Sequence, residues 1–251
     1  MTKITDISCV MITKNAQNTL EDVLKSLAAF SDVVVYNNNS TDKTAEIAKS
    51  FTNVNLIEGE FIGFGPTKNI AASFAKNEWI LSLDADEVVS EEFIENLKAK
   101  ILDNYKVYSI LRTNYYKKTQ IKHCWGNDNI VRLYNKNITS FTNKHVHEKI
   151  IDENLKIDSI GGAIKHYPYS NISDFIIKLD RYSTIYANDN VGKKKSSPIK
   201  AVFNGCFSFL KTYFLKRGFL DGYAGLVIAF SHMATNFYKY IKLYELNKEQ
   251  K

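Results

Sequence analysis

The spacing of apolar positions changes along the chain, and each change predicts an element. Residues 7–12 form a short, mostly apolar run that reads as a buried strand. Leu20, Val23, Leu24 and Leu27 then recur at helical spacing behind Asn18, with Glu21 three residues after it as in a capping box. Residues 32–36 are β-branched and predict a second strand. A polar turn at 37–42 opens a helix through Ser50, and 54–57 is a third strand. The stretch 59–66 is a Gly-rich loop, 67–76 a helix and 79–83 a fourth strand. Ser90 with Glu91 and Glu92 starts another helix carrying Phe93, Leu97 and Ile101. This alternation predicts an α/β fold, a parallel sheet with right-handed crossovers and helices on both faces. In such sheets ligands sit beyond the carboxyl ends of the strands.

After residue 105 the period shifts. The segments 105–111, 129–134, 147–151 and 163–166 are short, β-rich and separated by polar turns, which suits antiparallel or mixed pairing. Beyond Pro168 the pattern is helical, with Phe203, Phe207, Leu210 and Phe214 on one face. A boundary is expected near 166–172, giving a nucleotide-type domain at 1–168 and a basic, aromatic helical region at 169–251.

Composition narrows the class. An apolar content of 45% supports a real core. Cys9, Cys124 and Cys206 are scattered without metal-ligand spacing and read as reduced thiols of a cytoplasmic protein. No secretory signal is expected at the N-terminus. The net charge of +6 is uneven: from Asn190 onward there are eleven Lys/Arg against three Asp/Glu. Such a basic end points to an anionic surface. Nucleic acid is the weaker partner, because the cations are interleaved with core-type aromatics and no reader motif occurs. The apolar stretch 222–230 is far below the roughly 20 residues that span a bilayer. A peripheral membrane contact is therefore expected, against the plainer alternative of packed helices with lysines in water.

Five groups of residues could carry chemistry. Asp84-Ala85-Asp86, at the end of the strand 79–83 and followed by Glu87, offers hard oxygen ligands for a divalent cation bridging two phosphates. Thr13, Lys14 and Asn15 after the first strand, and the 37–42 turn after the second, can bind a base and ribose, or merely cap the next helix. Gly63-Phe64-Gly65-Pro66-Thr67-Lys68 places a lysine near a helix start, although the Gly-Lys-Ser/Thr order of a phosphate-cradling loop is missing. His145-Val146-His147-Glu148 supplies a carboxylate that could take a proton from an attacking hydroxyl; zinc-site spacing is absent. The basic tail is the fifth.

In this order these segments resemble bacterial family 2 glycosyltransferases of the lipopolysaccharide-core type, the WaaE/KdtX-like β-1,4-glucosyltransferase group. The matching stretches are Ile12 to Asn15, Asn39 to Thr44, Gly63 to Pro66 with Lys68-Asn69, and Trp79 to Glu87. They continue at Val131 to Tyr134, Val146 to Lys149, Arg181 to Thr184 and Gly218 to Gly222. The resemblance implies a GT-A fold with a C-terminal helical extension, a UDP-sugar donor such as UDP-glucose, Mg²⁺ or Mn²⁺, and inversion at the anomeric carbon. It implies Thr13, Asn15, Asn37, Asn38, Ser40 and Lys68 around the nucleotide, and Asp84 on the ribose or sugar. It also implies Asp86 on the metal, with Asp84 and His166 completing the shell. Glu148 is the implied base with Asp128 in reserve, and Trp125 and Arg132 face an acceptor. That acceptor is a core sugar such as heptose in a lipid-linked oligosaccharide, met at the inner face of the cytoplasmic membrane. One departure stands out: the family usually has Asp where this chain has Asn37. The Gln-x-x-Arg-Trp motif of processive synthases is absent, so addition of a single sugar is expected. The rival readings are a nucleotidyltransferase using the same acidic pair, and a non-catalytic membrane-binding module.

Overall fold

All seven residues of β1 (Ile7–Thr13) are buried, and alternate side chains feed two different cores. Ile7, Cys9 and Met11 pack with Leu20, Val23 and Leu24 of α1 (Leu20–Ser26), Ala48 of α2 (Thr44–Lys49), and Phe93 and Leu97 of α4 (Glu91–Ala99). Val10 and Ile12 face the other way, onto Ala71 and Ala72 of α3 (Phe64–Ser73). A strand buried on both faces suits the mostly apolar run seen in the sequence.

The computed structural model describes residues 2–144 and 148–250. They fall into two compact units, Met1–Thr113 with Asn127–His166, and Asn114–Gly126 with Tyr167–Lys251. In the first unit β1 pairs in parallel with β2 (Asp32–Asn37) and β4 (Trp79–Ser82), and β2 with β3 (Val54–Glu58). Beyond β4 the sheet turns antiparallel through β8 (Asn127–Asn135), β6 (Lys106–Tyr116), β9 (Lys156–His166) and β5 (Glu87–Val89). The strand order is β3-β2-β1-β4-β8-β6-β9-β5. Parallel pairing up to the fourth strand and mixed pairing after it follow the change of period in the sequence.

Several boundaries differ from the sequence reading. The helix expected behind Asn18 begins one residue later, and its N-cap Thr19 gives its hydroxyl to Ala85 O (2.7 Å) rather than to the helix. The Gly-rich stretch is a loop only from 59 to 63, and the helix starts at Phe64, three residues earlier than expected. Gly63 takes φ +110° as N-cap, and Pro66 sits in the first turn, where its missing N–H costs nothing. A side chain on Gly65 would strike the carbonyl of Thr142, so only glycine permits that approach. The expected strand at 147–151 is reduced to one bridge, Phe141 to Ile150; His145, Val146 and His147 lie outside the described residues. The strand expected at 163–166 begins earlier, at Lys156. Ile101, placed on a helix stripe by spacing, lies past the end of α4 and is exposed. The short β5 was not foreseen, because three residues carry no readable period.

In the second unit, β7 (Thr119–Gln120) forms a hairpin with the end of β6. The helices are α5 (Ile172–Asn190), α6 (Pro198–Leu210), which runs into a π-helical turn at Lys211–Leu215, and α7 (Gly222–Glu249). Asn171 and Asp174 close a capping box on α5, and Ser197 caps α6 ahead of Pro198. A small core joins Tyr116, Ile121, Cys124, Phe175, Ala224 and Ile228. The Asp221 carboxylate accepts the backbone N–H groups of Lys122, His123 and Cys124, which fixes that inserted segment. No helix among the described residues is long and apolar enough to cross a membrane.

Candidate functional site

In the first unit the chain leaves β4 at Leu83, whose N–H still donates to Val10 O (3.0 Å). Asp84-Ala85-Asp86 then forms a tight turn, closed by Glu87 N–H donating to Asp84 O (3.0 Å). The Asp84 N–H in turn donates to Glu87 Oε2 (3.0 Å), so this acidic turn holds its own backbone. Register does the rest. Leu133 of β8 faces Leu81, which places Arg132 beside the turn, and α3 brings Lys68.

These residues make a dense ionic centre. Arg132 Nη2 lies 2.7 Å from Asp84 Oδ2 and 2.6 Å from Glu87 Oε1. Lys68 Nζ lies 3.0 Å from Asp84 Oδ1 and 2.9 Å from Glu148 Oε1, with the Phe141 ring 5.1 Å away. Arg112 holds Asp128 through two bonds (3.1 and 2.7 Å) and reaches Glu87 at 3.4 Å. Lys68, Arg132 and Glu87 are buried, so their charges persist only because each has a partner. Burial alone would raise the Asp84 carboxyl, but Arg132 and Lys68 outweigh it and hold it far below the usual carboxylate range. Burial likewise opposes the Arg132 charge, and Asp84 and Glu87 overcome it, leaving the guanidinium firmly protonated. A cavity of 340 Å³ opens here, lined by Lys68, Asp84, Arg132, Phe141 and Glu148 among others.

A second polar group occupies the ends of β1 and β2. Asn15 and Asn39 both take positive φ, and Asn15 binds across to the other loop through Ser40 Oγ (2.9 Å) and Thr41 N (2.8 Å). Asn38 N and Nδ2 both donate to the Thr13 carbonyl. Asn37 accepts from Ser40 Oγ and donates to Glu58. Asp42 accepts from Gln17 N and Thr44, so its role here is capping.

The structure thus brings Asp84, Lys68, Arg132 and Glu148 together, and groups Thr13, Asn15, Asn37, Asn38 and Ser40. Asp86 turns from the ionic centre toward His166, Oδ2 to Nε2 at 3.6 Å, because β5 and β9 pair Glu87 with His166. Both Asp84 oxygens are taken by cations, and no group of three His, Cys, Asp or Glu side chains among the described residues is close enough to hold a metal ion. Asp128 is half-exposed and clamped by Arg112, away from the cavity lining. Trp125 belongs to the second unit, stacked on Tyr169. Sequence reasoning gave no role to Glu87, Arg112 or Phe141. Glu87 stood beside the acidic pair, but a buried, paired carboxylate and a solvated one look alike in sequence. Arg112 and Phe141 carried no signal.

The model of the family described as Glycosyl transferase family 2 matches residues 8–155. The chain belongs to glycosyltransferase family 2. An uncharacterized glycosyltransferase of Rickettsia typhi is 31% identical to it, over 96% of this chain and 87% of the relative. A lipopolysaccharide core biosynthesis glycosyltransferase of Rhizobium meliloti, LpsC, is 23% identical over 89% of each chain. Among solved structures, S. aureus TarS 1–349 in complex with UDP-GlcNAc aligns over 98% of this chain and 92% of its own, with a TM-score of 0.47 and 14% identity. The mixed sheet with helices on both faces is the GT-A arrangement of this glycosyltransferase family, followed by a helical C-terminal region. As a family 2 glycosyltransferase, the protein has its acidic turn at the strand end where an α/β sheet binds ligands.

Proposed function

We propose that this glycosyltransferase moves a single hexose, from UDP-glucose, onto a core sugar such as heptose of a lipid-linked lipopolysaccharide precursor, with inversion, as in the WaaE/KdtX-like group. The observation that carries this reading is Asp84 held between Lys68 and Arg132 at a strand end, in one cavity with Glu148. The likeness to LpsC over most of both chains supports the lipopolysaccharide setting.

Thr13, Asn37, Asn38 and Ser40 hold the uridine at the ends of β1 and β2. Lys68 and Arg132 present fixed positive charge to the diphosphate, and Asp84 meets the ribose or sugar hydroxyls. Glu148 takes the proton of the acceptor hydroxyl as that oxygen attacks the anomeric carbon. Both candidate bases are ion-paired, Glu148 with Lys68 and Asp128 with Arg112; Glu148 is favoured because it lines the cavity and Asp128 does not.

A divalent cation fits this centre by its charge. Lys68, Arg112 and Arg132 face Asp84, Glu87, Glu148 and Asp128, so the cluster is already net negative before Asp86 is counted. Asp86 and His166 would hold the ion, offering one oxygen and one nitrogen donor as Mn²⁺ accepts. When bound there, the ion would neutralise charge on the leaving diphosphate.

The second unit supports a peripheral membrane position at the cytoplasmic face. Ile199, Phe203, Phe207, Leu210 and Phe214 follow one another along α6 and its π-helical turn, each 51–71% exposed. From 191 to 220 the chain has seven Lys/Arg and no acidic residue. An apolar face set among cations suits the interface of an anionic leaflet.

Release of free UDP from UDP-glucose in the presence of acceptor and Mn²⁺ tests the reaction. A nucleotidyltransferase would instead leave the nucleotide in its product, so a product carrying uridine would overturn the proposal. Absence of binding to any sugar nucleotide would favour a non-catalytic membrane module.

A further inference from the structure

Glu58, which accepts from Asn37, has no role in the reaction described above; it ends β3 in register with Asn37 of β2. Asn37 is buried, Glu58 is exposed, and Asn37 Nδ2 donates to Glu58 Oε2 at 2.8 Å. The other end of the same amide accepts from Ser40 Oγ, so the amide is held from both sides. Beside it, two buried polar atoms, Thr13 Oγ1 and Asn38 Oδ1, have no partner. Buried groups left unpaired at the end of a parallel sheet are what a bound polar ligand would satisfy.

Three neighbouring strands thus end in a hydroxyl, two amides and a carboxylate. An ionised carboxylate can only accept hydrogen bonds. The imide edge of uracil offers an N–H between two carbonyls, whereas cytosine has a bare acceptor nitrogen at that position. We propose that Glu58 determines base specificity by accepting the uracil N3–H, with Asn37 positioning its carboxylate. This rests on the UDP-sugar reading above. It also accounts for an amide rather than an acid at position 37: a second carboxylate at 2.8 Å would repel the first, while an amide N–H anchors it.

Titration calorimetry of the full chain with UDP, CDP and GDP in Mn²⁺ tests this with four proteins: unmodified, Glu58→Gln, Asn37→Asp, and the double variant. The unmodified protein should bind UDP about tenfold or more tighter than CDP, as expected for a hydrogen bond to a charged group. Glu58→Gln should lose about that factor for UDP and gain on CDP, because a glutamine amide can donate to the cytosine nitrogen. Asn37→Asp should weaken UDP binding by placing two acids together, and Asn37→Asp with Glu58→Gln should restore it by moving the carboxylate one strand over. Unchanged UDP affinity and preference in Glu58→Gln, an exposed position that should fold normally, would overturn the role of Glu58. A preference of the unmodified protein for CDP or GDP would instead overturn the UDP-sugar reading itself.

Discussion

Arg132 and Phe203 typify the two units. Arg132 is 7% exposed, with one guanidinium nitrogen shared between two carboxylates; Phe203 is 71% exposed on a helix whose one charged side chain is Lys200. The first unit takes charge out of water and compensates each group with a partner. The second leaves apolar surface in water without a protein partner in its own fold. Burying a charge is tolerated where it prepares a site for a charged ligand, and exposing phenylalanine is tolerated where another apolar phase is available. The function proposed above assigns the two patterns to two different ligands, a nucleotide sugar and a lipid surface.

The largest effect that would sharpen this comparison is Arg132→Ala. It strands Asp84 and Glu87 without their shared cation and should cost about 3–5 kcal/mol in urea unfolding, along with activity. A loss below about 1 kcal/mol would mean that the buried pairing contributes little.

Next comes pH. In the second unit His232 is partly buried, and that loss of solvent, with smaller contributions from Lys216 and Lys239, lowers its pKa to about 4. Its Nδ1 meets Thr212 Oγ1 at 3.0 Å and its Nε2 is 3.5 Å from Trp125 Nε1, which suits a neutral ring protonated on Nδ1. The unfolded chain takes this proton near pH 6.5 and the folded one only near 4. Stability is therefore complete above about 6.5 and falls progressively down to 4, by at most about 3 kcal/mol. Thermal midpoints across that range should drop, and His232→Gln should flatten the slope. An unchanged slope would remove His232 as its cause.

The smallest effect on stability, though not on binding, is expected at α6. Phe203→Ser with Phe207→Ser should shift unfolding by no more than about 0.5 kcal/mol each, as surface changes do. The same variant should lose most of its co-sedimentation with vesicles containing phosphatidylglycerol. If it unfolds easily, or sediments as before, the exposed face is not a lipid contact.

How far these features could be read beforehand depends on period and on partners. The first two strands and α1 follow from mostly apolar or 3.6-spaced runs, because each is buried on one or two faces. The Asp84-Ala85-Asp86 turn was readable because it follows such a strand. Three-residue β5 was not, and neither was the bridge at Ile150, since pairing across the chain leaves no local signal. Asp84 reads in sequence as half of a metal pair, but its oxygens face Lys68 and Arg132, the second of them 48 residues away along the chain. Sequence spacing shows which groups share an element and not which cation from another strand will neutralise them. The grouping of 114–126 with the C-terminal helices is hidden for the same reason: Asp221 anchors it from about a hundred residues later.

The most direct measurement is UDP release from UDP-glucose, with Mn²⁺ and a lipid-linked core acceptor, by the unmodified protein and by Asp86→Ala. Asp86 is about one-third exposed, with His166 Nε2 3.6 Å from its Oδ2, so its removal should leave the thermal midpoint in place. The account predicts steady UDP release by the unmodified protein and a fall of about 100-fold or more in the variant. Near-normal turnover in Asp86→Ala, with Mn²⁺ still required, would contradict it.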